Sequence, residues 1–513
     1  MIAAGPTEIP ERVVPPARTS AWLDWAAPAA ILLLAAAMRL AGLDKSLWLD
    51  EAGSLAQAGA ADFIATARDY DHPPLYFALL RAGLQMTPSF PVLRLFSVAC
   101  GVGAVAVFCF FFGGRERLAG WTAALLLAVL PGFVFNSQEL RQYGLLSLAF
   151  SVALALAWRV ERAPHDVRFL AGLATALAVA ASTHLITVFF MAALIAVMAW
   201  RLRRERPGIL LRVSCAFVPA TLLVLFFKYV FLLRTVKSPD LWWMPPVSPA
   251  LLRQVFIEDT GWSALVWFYE ACERHVPGVG SVFLVAAGLG AAFVAWTAWA
   301  RRGAGPAHAL LAIGLVYWGL LTGYSLVAPP IVWPRTMLPG MLPFVLSLGL
   351  GVATHPRERQ RRMATAVLTV LAIAMTVPWL RGLAFQPAED LRGFSRALSQ
   401  SATPSDLLVL VNGVEIGLEP YWPAYKKQAC LKVELRDPLP ATLAALTAAR
   451  GRQPEGGAIF LVYRADSSLA PKRAVLQAIV DETSVVNGPP EQLWDKSTYH
   501  VLRFNPTPAR QIR

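Results

Sequence analysis

Lys45-Ser46-Leu47-Trp48-Leu49-Asp50-Glu51-Ala52 lies just beyond the first apolar run of membrane length, residues 22–43. Adjacent carboxylates are costly to hold beside hydrocarbon, so an acid pair at the mouth of a membrane-embedded chain marks a candidate site. Composition supports that setting. Hydrophobic residues make up 56% of the 513 and charged residues 15%, against about 25% charged in an average soluble domain. This identifies an integral membrane protein. The net charge of +13 does not point to nucleic acid, because many of the cations fall in short gaps between apolar runs instead of forming a basic stripe. The five cysteines make no metal pattern; only Cys272 and Cys430 lie in polar segments, and free thiols are expected there. The N-terminal residues, with Glu8, Glu11 and several prolines, lack the basic region of a signal peptide, so the first run reads as a retained anchor.

Working outward, apolar runs occur at 22–43, 92–112, 118–136, 139–158, 169–183, 184–200, 209–233, 280–300, 309–328, 334–353 and 363–380. With about 20 residues needed to cross a bilayer, they predict about eleven transmembrane helices. Cytoplasmic loops are enriched in Lys and Arg. With the N-terminus (residues 1–21) in the cytoplasm, every predicted inner gap is basic: Arg115 and Arg117; Arg159, Arg162 and Arg168; Arg201, Arg203, Arg204 and Arg206; Arg301 and Arg302; Arg357, Arg359, Arg361 and Arg362. The expected domains are a transmembrane region at 22–380, with outer segments 44–91 and 234–279, and an extracytoplasmic domain at 381–513.

In the first outer segment, Phe63-Ile64 and residues 75–80 read as short helices lying on the membrane, the second introduced by Asp71-His72-Pro73-Pro74. The second outer segment holds Trp242, Trp243, Trp262 and Trp267, consistent with an interfacial belt or a lid. The tail alternates expected helices at 388–400, 438–450 and 470–482 with expected strands at 407–411, 459–462 and 499–504, a small α/β domain.

Ionisable residues predicted at the outer surface are Asp50, Glu51, Asp71, His72, Glu139, Arg141, His184 and Arg335. Carboxylates can take a proton from a hydroxyl, and arginines can hold a phosphate through paired hydrogen bonds. Together they suit transfer of a group from a lipid phosphate. Each has a plainer role: Asp50, Glu51 or Asp71 could cap a helix, Arg141 and Arg335 could reach toward headgroups, and His184 could be a hydrogen-bonded structural residue. Asp50, Asp71 and His72 are also suitable metal ligands, although their spacing dictates no geometry; a divalent ion stays open.

Leu47-Trp48-Leu49-Asp50-Glu51-Ala52, Asp71-His72-Pro73-Pro74-Leu75-Tyr76, Ser137-Gln138-Glu139-Leu140-Arg141-Gln142-Tyr143 and Pro334-Arg335-Thr336-Met337-Leu338-Pro339, in this order, resemble the bacterial family of protein O-mannosyltransferases and aminoarabinose transferases. The resemblance implies a C-type membrane glycosyltransferase fold and a polyprenyl-phosphate sugar donor. It places Asp50 on the family's first-loop catalytic aspartate and Asp71 on a second acid. His72 falls where relatives carry Lys or His, Arg141 and Tyr143 on an Arg-x-Tyr motif near the donor pocket, and Arg335 on a Pro-Arg motif. Gln142 and Thr336 depart from the more usual apolar and aromatic residues.

The expected activity is therefore inverting sugar transfer from a lipid-linked donor in the bacterial inner membrane, to a lipid, glycan or protein acceptor on the extracytoplasmic side. Asp50 is the expected base, with Asp71 assisting. His72, Arg141, Tyr143 and Arg335 are expected at the donor phosphate, with His72, Arg141 and Arg335 as the cations that stabilise it, and Glu51, Glu139 and His184 as support. A polysaccharide polymerase or ligase would carry its key groups in a late outer loop, and a flippase would show midplane charges and two similar halves; neither pattern is seen.

Overall fold

The computed structural model describes residues 23–69, 72–112, 116–203, 207–231, 244–300, 305–382, 389–434, 437–454, 456–465, 473–495 and 498–506. The expectations placed on residues 1–21, Asp71, Arg115, Arg204, Arg206, Trp242, Trp243, Arg301 and Arg302 lie outside the described residues.

Helix α1 (Leu23–Leu40) leads into three short helices, α2 (Leu49–Gly59), α3 (Phe63–Arg68) and α4 (Leu75–Met86), before α5 (Phe90–Phe111). There follow α6 (Arg117–Val129), α7 (Pro131–Asn136), α8 (Tyr143–Arg162), α9 (Val167–Thr183), α10 (Thr187–Leu202), α11 (Pro207–Cys215) and α12 (Val218–Phe226). After α13 (Pro249–Asp259) and α14 (Trp262–His275), the bundle is completed by α15 (Val279–Trp299), α16 (Gly305–Val327), α17 (Pro334–Met337), α18 (Met341–Ala353) and α19 (Glu358–Arg381). Among the described residues, seven segments are long and apolar enough to cross a membrane; the apolar helices Trp25–Leu40, Arg117–Val129, Val167–Thr183 and Thr187–Leu202 are shorter. Together they follow the runs read from the sequence, and the chain is a polytopic helical membrane protein.

The helix ends explain where polar side chains enter this bundle. Pro131 has no N–H, so it cannot bond the Leu127 carbonyl four residues back, and α6 stops there. Arg39, near the end of α1, supplies the missing donors: its guanidinium donates to Leu127 O at 3.0 Å and Ala128 O at 3.0 Å. Gly101 of α5 makes room for this arrangement, since a Cβ there would lie 2.2 Å from Ser137 Oγ and 2.8 Å from Arg39 Nε.

A second buried arginine organises the loop after α1. Arg94, near the start of α5, donates to both carboxylate oxygens of Glu51, Nε to Oε1 at 2.9 Å and Nη2 to Oε2 at 2.6 Å. The same guanidinium holds the Leu43 carbonyl at 2.6 Å and that of Lys45 at 2.7 Å. Glu51 Oε1 also accepts from the Leu140 N–H at 2.8 Å. Both side chains of the pair are wholly buried. The sequence left open that an acid of the pair caps the helix; instead both lie inside the first turn of α2, whose N-cap residue Trp48 provides no side-chain cap.

The C-terminal domain is a five-stranded mixed sheet in the order β2-β1-β3-β5-β4. Its strands are β1 (Leu407–Val411), β2 (Ala429–Val433), β3 (Ile459–Arg464), β4 (Glu491–Trp494) and β5 (Tyr499–Phe504), with helices α20 (Leu391–Ser401), α21 (Glu415–Leu418), α22 (Leu439–Gly451) and α23 (Arg473–Asn487). β1 pairs in parallel with β2 and β3, and β5 pairs antiparallel with β3 and β4. One face, with Val409, Leu461 and Phe504, packs on α22 and α23 through Leu446 and Ile479. The other, with Leu408, Phe460 and Val501, shares a core with α20, with Leu47 of the loop after α1, and with Ala52, Tyr76 and Phe77 of the short helices α2 and α4. Burial on both faces accounts for the uninterrupted apolar run of β1. All five cysteines are free thiols.

Arg94→Met would leave the Glu51 carboxylate uncompensated in a dry site, and breaking a buried pair this way costs about 3–5 kcal/mol. Purified Arg94→Met is expected to unfold at markedly lower temperature than wild type, with Glu51→Gln, which retains an acceptor for the Leu140 N–H, intermediate. A wild-type melting curve for Arg94→Met would show that the pair does not hold the loop.

Candidate functional site

The first turn of α2 directs its two acids differently. Glu51 points into the bundle, while Asp50 keeps 31% side-chain exposure. Asp50 Oδ2 accepts from Arg335 Nη1 at 2.5 Å, and Arg141 Nη2 stands 3.8 Å away. Burial alone would raise this carboxyl's pKa; the Arg141 and Arg335 charges outweigh it and hold Asp50 below its ordinary value.

The arginines come from separate parts of the chain. Arg141 lies in the turn between α7 and α8, fixed by the Leu140 N–H on Glu51 and by Gln138, whose amide donates to Ala41 O at 2.6 Å. The buried acid of the pair therefore locates a cation for the exposed one. Arg141 Nη1 also donates to Ser54 Oγ at 3.1 Å and Asp50 O at 3.3 Å. Arg335 lies on α17, where Thr336 steadies the turn: its hydroxyl accepts from the Trp333 N–H at 3.0 Å and donates to Ile331 O at 2.6 Å. Thr336 is thus a backbone clamp, and aromatic surface comes from elsewhere. The Arg335 guanidinium lies 4.9 Å from the Trp48 ring centre and 5.9 Å from that of Tyr143.

His72, Tyr143 and His184 join the same cluster. The His72 and His184 ring centres are 4.6 Å apart, and those of Tyr143 and His184 5.8 Å. Arg141 Nη2 is 3.3 Å from His72 Nε2. An arginine can only donate, so this nitrogen accepts and His72, expected as a cation, sits here as a neutral ring. His184 Nδ1 accepts from the Ile186 N–H at 3.1 Å, which places its proton on Nε2, a buried donor with no partner among the described residues. Burial, then the Arg141 and Arg335 charges, push its pKa down to about 3, so the ring is neutral. Glu139 is also buried with Oε1 unpartnered. Burial and the charge of Glu51 push its carboxyl up, against Lys45, Arg335 and Arg141.

All of these groups stand at one end of the bundle: after α1, before α5, before α8, after α9 and before α18. The described basic gaps, at Arg117, Arg159 to Arg168, Arg201 to Arg203 and Arg357 to Arg362, stand at the other. α9 and α10, which meet at the His184 turn, have 17 and 16 residues, short of the roughly 20 that cross a bilayer. Among the described residues no three His, Cys, Asp or Glu come close enough to hold a metal ion; the ligand set suggested from sequence includes Asp71, outside them.

Several members had no role assigned from sequence. Arg94 carried a legible signal, an ionisable residue inside a predicted span. Trp48 was visible only as part of a motif. Glu389, whose carboxylate meets the Leu49 N–H at 2.9 Å across 340 positions, gave no local signal.

No protein-family model and no characterised protein sequence matches the chain. Solved structures do. The crystal structure of ArnT from Cupriavidus metallidurans in the apo state superposes with a TM-score of 0.56 at 12% identity, covering 94% of this chain and 98% of that one. The structure of the same protein bound to undecaprenyl phosphate gives a TM-score of 0.48 at 12% identity, over 94% and 97%. At this identity the likeness is one of fold, and its coverage takes in the helical bundle and terminal domain alike. The chain has the C-type membrane fold of ArnT.

Proposed function

We propose that this protein transfers a sugar from a polyprenyl-phosphate donor to an acceptor on the extracytoplasmic side of the bacterial inner membrane, with inversion and with Asp50 as general base. The observation that carries this reading is the meeting of one accessible carboxylate with two arginines from distant elements, at one end of a membrane bundle and beside the aromatic rings of Trp48 and Tyr143.

Asp50 and the arginines form a resting arrangement in which the carboxylate is a weak base. A donor phosphate competes for Arg335 and Arg141, which bind phosphate oxygens well. Release from its partners leaves burial to dominate, and Asp50 becomes more basic as the donor arrives. The acceptor hydroxyl or amine then attacks the anomeric carbon and passes its proton to Asp50. The anomeric C–O bond breaks and its electron pair leaves with the polyprenyl phosphate. The arginines stabilise that charge, with the His184 Nε2–H as a neutral donor beside them. The leaving phosphate needs no acid, unlike the leaving group in a paired-carboxylate glycosidase. Asp71 is proposed as a second acid, His72 as a ring oriented by Arg141, and Glu51 and Glu139 as support. The acceptor is a lipid, glycan or protein; comparing envelope glycans with and without the gene by mass spectrometry identifies it. A transporter is less well supported, because these ionisable groups gather at one end of the bundle instead of its middle.

In membranes supplied with a lipid-linked sugar and acceptor, Asp50→Asn is expected to lower turnover roughly a hundred- to ten-thousand-fold, the span of general-base catalysis, with donor binding tightened because the carboxylate no longer competes for Arg335 and Arg141. Near-normal turnover by a correctly inserted Asp50→Asn removes Asp50 from the mechanism.

The pH profile gives an independent check. The Asp50 pKa is depressed in the free enzyme, so the carboxylate stays ionised below the ordinary aspartate value of 3.8, and the acid limb of kcat/KM lies below it. Arg335→Gln removes one of the opposing charges and is expected to move that limb upward, while weakening donor binding. An unmoved limb would assign it to another group.

A further inference from the structure

The loop that carries Asp50 is held from two sides. Its carbonyls, at Leu43, Lys45 and Ser46, go to Arg94 of the membrane bundle. Two of its N–H groups go to the C-terminal domain. The Leu47 N–H donates to Tyr421 Oη at 2.8 Å, and the Leu49 N–H to Glu389 Oε2 at 2.9 Å. Arg392 adds an N–H to Ser46 Oγ at 2.8 Å and an ion pair with Asp44 at 3.1 Å.

Leu49 is the first residue of α2, and its N–H is among those a helix leaves unsatisfied. Trp48 cannot cap it. The carboxylate of Glu389 fills that role, with a negative charge at the positive end of the helix dipole. Glu389 is 4% exposed and is itself held by Arg464 Nη2 of β3 at 2.5 Å and by Tyr499 Oη of β5 at 3.4 Å. Its position is therefore fixed by the sheet. Asp50 follows Leu49 directly, so a shift in the start of α2 moves its carboxylate relative to Arg335 and Arg141.

We propose that Glu389 is a positioning residue for Asp50, and that the C-terminal domain serves the reaction by capping the helix that bears the base. This rests on the transfer reaction proposed above. It gives the domain a task in the transmembrane site, separate from any acceptor recognition on its own surface.

The test compares Glu389→Ala, Glu389→Gln and, as a control on an exposed ion pair of the same domain, Lys426→Ala, in full-length protein. Hydrogen exchange reports the cap without needing turnover: Glu389→Ala is expected to accelerate exchange in peptides spanning residues 47–51, and Glu389→Gln, whose amide oxygen still accepts, to do so less. Kinetically, Glu389→Ala is expected to lower kcat about tenfold with donor KM within about twofold, Glu389→Gln to recover part of the loss, and Lys426→Ala to match wild type. Unchanged exchange at 47–51 in Glu389→Ala overturns the cap. Increased exchange with wild-type kcat, or kcat losses that merely track melting temperature across the variants, overturns the positioning role. If wild type transfers no sugar from polyprenyl-phosphate donors, the proposed reaction fails while the exchange experiment still decides the cap.

Discussion

The buried pair of Glu51 and Arg94 is the constraint on which the site depends. Two charges withdrawn from water are tolerated only when their hydrogen-bonding capacity is filled. Glu51 meets this with Arg94 and the Leu140 N–H, and Arg94 with Glu51 and the carbonyls of the preceding loop. In satisfying each other they fix three things together: the path of the chain out of α1, the rotation of α2, and the turn that presents Arg141. With Glu51 turned inward, its neighbour Asp50 faces the opening.

Asp50 is correspondingly accessible. Its arginine partners hold it ionised in the resting protein, at the expense of its strength as a base. Such a pair suits a site whose substrate carries a phosphate, because the ligand and the carboxylate compete for the same cations. The neutral rings of His72 and His184 add polar contacts without adding charge.

Much of the fold was legible in the sequence because it depends on local pattern. The spans followed from apolar length, and their alternation from arginines such as Arg159 and Arg357. The interior strands β1 and β3 followed from apolar runs closed on both faces. β2 and β4 did not, since these strands, with residues such as Lys432 and Glu491, are largely exposed and lack that pattern. Helix α2 was anticipated only as a helix that Asp50 or Glu51 could cap, and its polar residues gave no pattern to set its bounds. Asp50, Arg141, Tyr143, His184 and Arg335 were candidates from composition and motif, and the structure brings them together. Glu389 and Tyr421 could not be found this way, because their significance lies in a contact with a loop more than three hundred positions away, nor could Arg464, which acts through Glu389; nothing local in the sequence distinguishes a capping glutamate from a solvated one.

The central claim is that phosphate and Asp50 compete for Arg335 and Arg141. It is tested most directly by a structure of this protein in lipid nanodiscs with a polyprenyl phosphate bound. The account predicts phosphate oxygens on Arg335 and Arg141, with the Asp50–Arg335 pair opened and the Glu51–Arg94 pair unchanged. A bound phosphate elsewhere, with Asp50 still on Arg335, would contradict it.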